Sequence, residues 1–167
     1  MLACVDVAYR DGEAAAACVL FHLWEDGTSA CELLEKIRHF AAYRPGEFYR
    51  RELPPLLAVL RKVREPLEAV IVDGYVWLDN GKSGLGARLH GELGRSVSVI
   101  GVAKNHYVGA DLAIPILRGR SHRPLYVTAA GMDAETAARR VMAMHGANRI
   151  PTLMKRADSL ARRGLNL

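Results

Sequence analysis

The run Ala69-Val70-Ile71-Val72 constrains this chain more than any other stretch, because it carries no polar side chain and ends in Asp73-Gly74. A short apolar run closed by a turn pair is the pattern of a strand buried on both faces. Such strands belong to helix-covered sheets, where ligands gather at the carboxyl ends of parallel strands. Asp73 stands at that end, and Gly74 lets the backbone turn sharply or a ligand come close. Asp-Gly is also ordinary turn chemistry, so Asp73 alone decides nothing. A second acid shifts the balance. Asp6 lies in the alternating run Leu2–Tyr9, where Val5 and Val7 point one way and Cys4, Asp6 and Ala8 the other. A carboxylate inside a strand is costly unless it is paired or holds a metal. If the two strands are neighbours, Asp6 and Asp73 converge, and carboxylates left without Lys or Arg partners suit a hard cation, Mg2+ or Mn2+. Separate structural hydrogen bonds to each acid are the alternative.

The rest of the chain reads as alternating elements around these two strands. Asp11-Gly12 is a hairpin signal, Glu13–Trp24 the return strand, and Glu25-Asp26-Gly27 a further turn. Thr28–Phe40 suits a helix by composition, yet its place after two hairpin strands favours a third antiparallel strand. A Pro-Gly loop at 42–46 precedes a helix over Glu47–Arg64, with Pro54-Pro55 expected to disturb its first half. After a loop over Tyr75–Ser83 come a helix at Leu85–Leu93, a strand at Val97–Val102 and another at Pro124–Ala129. Asp133 is placed to cap a helix running to His145, with Ala134, Ala137, Ala138, Val141 and Met142 as its packing face. Pro151 opens a last, basic helix to Arg163. The expectation is one α/β domain over 1–167, a mixed sheet of three antiparallel N-terminal strands followed by alternating helices and strands.

Composition excludes several classes. The 167 residues are 50% hydrophobic, enough for one sizeable core. No apolar run approaches the ~18 residues of a membrane span, so no membrane partner is expected. No basic leader precedes the first strand, and three cysteines (Cys4, Cys18, Cys31) form no CxxC pair, so a reduced cytoplasmic protein with small buried thiols is expected. A monomer is expected too. Charge is uneven: residues 1–117 hold 13 Lys/Arg against 15 Asp/Glu, whereas 118–163 hold 10 against 3. That basic third, with Arg118, Arg120, Arg123, Lys155 and Arg156, predicts a groove for a polyanion, DNA or RNA. Asn80-Gly81-Lys82-Ser83 imitates a phosphate loop, but Val76 stands where its first glycine must be, and ATP or GTP binding is excluded.

Five segments, in order, resemble the motifs of the endonuclease V family: Val5-Asp6-Val7, Tyr43-Arg44-Pro45-Gly46-Glu47-Phe48-Tyr49-Arg50-Arg51-Glu52, Val72-Asp73-Gly74, Ile100-Gly101-Val102-Ala103-Lys104 and Arg156-Ala157-Asp158. The resemblance implies an RNase H-like fold and a nuclease cutting DNA or RNA near deaminated adenine (hypoxanthine, inosine), in nucleic-acid repair or processing. It implies Asp6, Asp73 and Glu52 as ligands of Mg2+ or Mn2+, and Asp158 as a fourth acid. Lys104 would touch the scissile phosphate or help hold the attacking water. Phosphodiester hydrolysis suits carboxylate-held cations, which activate water and offset charge on the leaving oxygen. Tyr43, Arg44, Pro45 and Gly46 resemble the wedge that fills the gap left by a flipped base, and Gly46, Phe48 and Gly74 the lining of its pocket. His90 falls where the family carries histidine and is expected to support the ligands from behind.

One loop departs from the family. Tyr75-Val76-Trp77-Leu78-Asp79 replaces a second glycine and a His-Pro-Arg, and Asp79 is the candidate substitute for the lost histidine. Val76 and Trp77 are expected to crowd the base pocket, with Trp77 stacking on a base or covering it and inosine preference weakened. Two further readings stay open: an RNase H-like nucleic-acid-binding protein without inosine-specific cleavage, and a nuclease acting on another substrate.

Overall fold

Asp11 and Gly12 both take positive φ, +50° and +79°, and reverse the chain between β1 (Leu2–Arg10) and β2 (Glu13–Phe21). β3 (Cys31–Ile37) returns along β2, so the ambiguous segment is a strand, and the first three strands are antiparallel as expected. This computed structural model describes residues 1–38 and 47–166. β4 (Ala69–Asp73) lies parallel to β1, and β5 (Ser98–Ala103) parallel to β4. β7 (Leu125–Ala130) turns antiparallel against β5 and β6 (Ile114–Ile116) pairs with its far edge, giving a sheet of order β3-β2-β1-β4-β5-β7-β6.

Two helices cover each face. α1 (Phe48–Leu60) and α2 (Leu85–Glu92) bury Leu56, Val59, Leu60, Leu85 and Leu89 against Ala3, Val5, Val70 and Val72. α3 (Ala134–Ala143) and α4 (Thr152–Gly164) bury Ala137, Val141, Leu153 and Ala157 against Cys4, Ile71, Ile100 and Val102. Strand alternation therefore decides which helix pair each polar end residue meets. Following Cys4, Ile71 and Val102 by two residues brings Asp6, Asp73 and Lys104 to the α4 side.

Several expectations need correction. The short edge strand β6 (Ile114–Ile116) was not expected. Pro115 at its centre hides it, yet an edge strand tolerates a missing N–H. α1 runs unbroken through Pro54 and Pro55. Pro55 leaves the Arg51 carbonyl without its helical donor, and the Tyr9 hydroxyl donates to that carbonyl at 2.9 Å. The Asp133 cap forms, its carboxylate accepting from Thr136 N at 2.8 Å, but Met142 is exposed and Met144 takes the buried place. Cys31 is exposed, not buried.

The basic third divides. Arg118 is buried and donates to the carbonyls of Asn148 (2.9 Å), Arg149, Gly146 and Met144. It holds the α3–α4 connection together and is not free to meet a phosphate. Arg156 pairs with Glu32 on β3 at 2.6 and 2.7 Å. Replacing Arg118 with Met leaves buried carbonyls without a donor, so stability should fall by about 2–4 kcal/mol. Denaturant unfolding measures this, and unchanged stability would show that the four contacts are dispensable.

Candidate active site

Two registers build the site. Val5 pairs with Val72, so Asp6 stands beside Asp73, and Asp73 pairs with Val102, two residues before Lys104. The Lys104 ammonium is bonded to Asp73 Oδ2. Gly74 turns away at φ +137°, donating to Val102 O at 3.2 Å, so the chain leaves the strand without covering the acids. Gly101 makes room for this exit, since a Cβ there would meet Gly74 O at 2.5 Å and Val76 N at 2.8 Å. Arg149 donates to the carbonyls of Lys104 and Pro124, fixing the backbone that presents the lysine. Asp6, Asp73, Lys104, Arg149, Lys155 and Asp158 line a cavity of about 470 Å3. Of the groove residues expected from the basic third, Lys155 reaches it.

The electrostatics are those of acids short of cations. Burial, then the charge of Asp73, pushes the Asp6 carboxyl from 3.8 up to about 7, with Asp158 adding to the rise and Val7 N–H and Lys104 opposing it. Glu52 is likewise pushed up to about 7, chiefly by burial; a Tyr9 hydrogen bond and Arg51 oppose this, while Asp6 and Asp73 add to it. For Lys104, burial works against its charge, but the Asp73 carboxylate outweighs it and holds the pKa above the ordinary value. Asp158 also pairs with Arg162 at 2.8 Å. Its position on α4 places it on the Asp6 side of the sheet, lining the same cavity.

Glu52 differs from Asp6 and Asp73 in approach. It comes from α1, on the opposite face, and its carboxyl lies beside the Tyr9 hydroxyl within electrostatic reach of both aspartates. Among the described residues no three His, Cys, Asp or Glu side chains come together in a group that could hold a metal ion, so Glu52 is not brought to Asp6 and Asp73 as the third ligand that the resemblance implies. The donor set nevertheless fits Mg2+ or Mn2+, which take one or two carboxylates and keep waters for the remaining positions. Two adjacent oxygen donors, one raised towards neutrality chiefly by burial and by its acidic neighbour, meet that requirement.

A second cavity, of about 560 Å3, shares Asp73 with the first and is lined by Phe48, Tyr49, Gly74, Tyr75, Arg88 and Tyr107, among others. Phe48 and Gly74 are thus brought together as the resemblance implied. Trp77 is not in this wall. Its indole donates to Ala129 O at 2.8 Å, and Val76 is buried with its N–H on Thr128 Oγ1 at 2.8 Å. The crowding expected from these two residues does not occur, because the loop folds both side chains back against the sheet. Asp79 is exposed and lies against Gly109, not beside the acids. His90 binds Val97 O at 2.8 Å before β5 begins, at the other end of the sheet from Lys104. Neither supports the carboxylates. The wedge residues Tyr43, Arg44, Pro45 and Gly46 lie outside the described residues. Arg88, Tyr107 and Arg149 were missed from the sequence, because an isolated Arg or Tyr carries no spacing signal.

A mixed sheet of this order, with paired carboxylates at its central strand ends, is the RNase H-like architecture of phosphodiester-cutting enzymes. The endonuclease V family model matches residues 1–115. Over 184 residues the chain is 32% identical to endonuclease V of Streptomyces avermitilis, covering 96% of this chain and 79% of that protein. The chain belongs to the endonuclease V family, and with it to the nucleases. The crystal structure of endonuclease V from Streptomyces avermitilis superposes with a TM-score of 0.79 at 29% identity, covering 99% of this chain and 81% of that one. Ciona intestinalis endonuclease V, solved with DNA containing an inosine followed by a ribo-adenosine, superposes with a TM-score of 0.86 over 99% of this chain and 85% of that one. At 20% identity that likeness establishes the fold alone. Among the described residues no helix is long and apolar enough to cross a membrane.

The raised Asp6 pKa has a consequence for stability. A carboxyl whose folded pKa exceeds its unfolded one binds more protons when folded, so stability falls as pH rises from about 4 to about 7. In chelator at pH 8, Asp6→Asn should stabilise the chain by on the order of 2–4 kcal/mol, a gain that shrinks by pH 5. Denaturant melts at the two pH values check this. A variant less stable than the parent at pH 8 would show the acid to be structurally satisfied.

Proposed function

We propose that this chain is a divalent-metal-dependent endonuclease that cleaves the backbone of DNA or RNA near hypoxanthine. The observation that carries the reading is Asp6 beside Asp73 at the ends of two parallel strands, with Lys104 at their edge. Asp6 and Asp73 would hold Mg2+ or Mn2+, with Glu52 adding negative charge from the α1 side. Such a cation makes water nucleophilic and offsets charge on the leaving 3′ oxygen.

The chain's own residues supply the remaining functions. Lys104 holds a positive ammonium where a scissile phosphate approaches, and Arg149 fixes the backbone behind it. Lys155 and Arg149 give the cavity wall a polyanion-attracting charge. Asp158 adds an acid from α4 whose charge reaches Asp6 and Lys104. The second cavity, walled by aromatic rings and opening at Asp73, suits a base taken out of its stack. By the family resemblance, Tyr43, Arg44, Pro45 and Gly46 would fill the vacated space. Inosine is the substrate of choice here because the relative solved with DNA holds an inosine strand, and because Trp77 and Val76 leave the cavity open.

Purified protein incubated with inosine-bearing and plain strands, of DNA and of RNA, should cut the inosine strands with Mg2+ or Mn2+ and not with chelator. Asp73→Asn should lower the rate by at least about a hundredfold. Tight binding without cleavage under every condition would leave a nucleic-acid-binding protein instead.

A further inference from the structure

Asp158 borders a third cavity, of about 420 Å3, in which Tyr9, Arg10, Arg162, Leu165 and Asn166 also take part. The second and third cavities share no lining residue, whereas each shares one acid with the first, Asp73 and Asp158 respectively. The three therefore form a row with Asp6 in the middle member. Arg162 gives the third cavity its chemistry. It bonds Asp158 Oδ1 through Nε at 2.8 Å, and its terminal nitrogens make no hydrogen bond among the described residues. Its side chain is 72% exposed, so those nitrogens are open to a ligand. A carboxylate on Nε fixes the guanidinium plane and leaves the terminal pair as a fork, which matches two phosphate oxygens. Arg10 is already committed, donating to Asn166 Oδ1 at 2.7 Å and to Leu165 O. Those bonds, with Asn166 N donating to Arg163 O at 2.9 Å, also occupy carbonyls at the end of α4 that would otherwise repel an anion.

We propose that the third cavity seats the phosphate next to the one cut, on the side away from the base, and that Arg162, oriented by Asp158, is its ligand. The proposal rests on the function given above and extends that site by one nucleotide. A strand whose base fills the second cavity and whose scissile phosphate meets Lys104 in the first continues, along the same row, into the third. The third cavity suits a backbone and not a base. Tyr9 is its one aromatic lining residue among those described, and the Arg51 guanidinium carbon stacks 3.9 Å from the centre of that ring. The second cavity, by contrast, presents several rings. A phosphate held at Arg162 fixes the strand beyond the cut, so the scissile bond stays aligned over Asp6 and Asp73.

The test uses inosine strands shortened one nucleotide at a time, from the end away from the inosine, down to the cut mapped in the cleavage assay. Binding is followed in chelator by fluorescence anisotropy, which needs no turnover. In the parent, the first phosphate beyond the cut should tighten binding by about 3- to 10-fold and steepen the salt slope by roughly 0.7. Arg162→Gln should abolish that step. Arg162→Lys should keep the slope and recover only part of the affinity, because a point charge does not reproduce a planar fork. Arg163→Gln removes the same charge one residue along, outside the cavity lining, and should leave the step intact. Each step is a ratio measured within one protein, so a variant's lower stability does not imitate its loss. Three results overturn the subsite alone: no step in a parent that cuts inosine strands, a step that survives Arg162→Gln, or an equal loss of it in Arg163→Gln. A parent that cuts no strand overturns the function and the subsite together.

Discussion

The parallel register of β1 and β4 is the constraint on which the site depends. It sets Asp6 next to Asp73, and neither a charge-paired nor a hydrogen-bonded solution is complete for both. Lys104 satisfies Asp73, while Asp6 stays half-buried and shifted towards neutrality. A fold selected for stability alone would replace such an acid with an apolar residue of similar size. The surrounding structure keeps the arrangement in place: Gly101 lets the chain cross over the sheet after Gly74, Thr128 ties down Val76, and Arg149 braces Lys104.

Asp73 stands between two cavities of different character. One is lined by acids and cations and suits backbone chemistry; the other is lined by aromatic rings and suits a base. Because one residue borders both, a base seated in the second cavity as proposed would bring its neighbouring phosphate close to the first. The exit of the chain at Gly74 makes that sharing possible, since any side chain there would need a backbone angle that only glycine adopts readily.

Much of this was legible in the sequence, for identifiable reasons. The run Ala69–Val72 and the alternation around Asp6 each have a period that only one face assignment satisfies, so the pattern alone places both acids on their strands. Gly101 to Lys104 was recognisable as a motif, although its reason, the close crossing of residues 74–76, is tertiary. The misreadings share a cause. Trp77 and Val76 look bulky beside a glycine-dependent pocket, but which way a loop side chain turns is set by partners far along the chain, here Ala129 and Thr128. Arg118 and Arg156 count as free charge in any sequence tally, yet one is consumed by the α3–α4 carbonyls and the other by Glu32. His90 matched a family position while serving the opposite end of the sheet.

The central claim is that Asp6 and Asp73 form an under-compensated pair that a hard divalent cation completes. Its most direct test is the melting temperature of the chelator-stripped chain at pH 8 as Mn2+ is added. Binding to the folded chain alone must raise it, adding roughly 2.7 kcal/mol of stability at a hundredfold excess over the dissociation constant and roughly 1.4 kcal/mol for each further tenfold. The account predicts a clear rise in the parent that grows with the logarithm of Mn2+ concentration, and none in the Asp6→Asn/Asp73→Asn double variant. No rise in the parent, or an equal rise in both proteins, would contradict it.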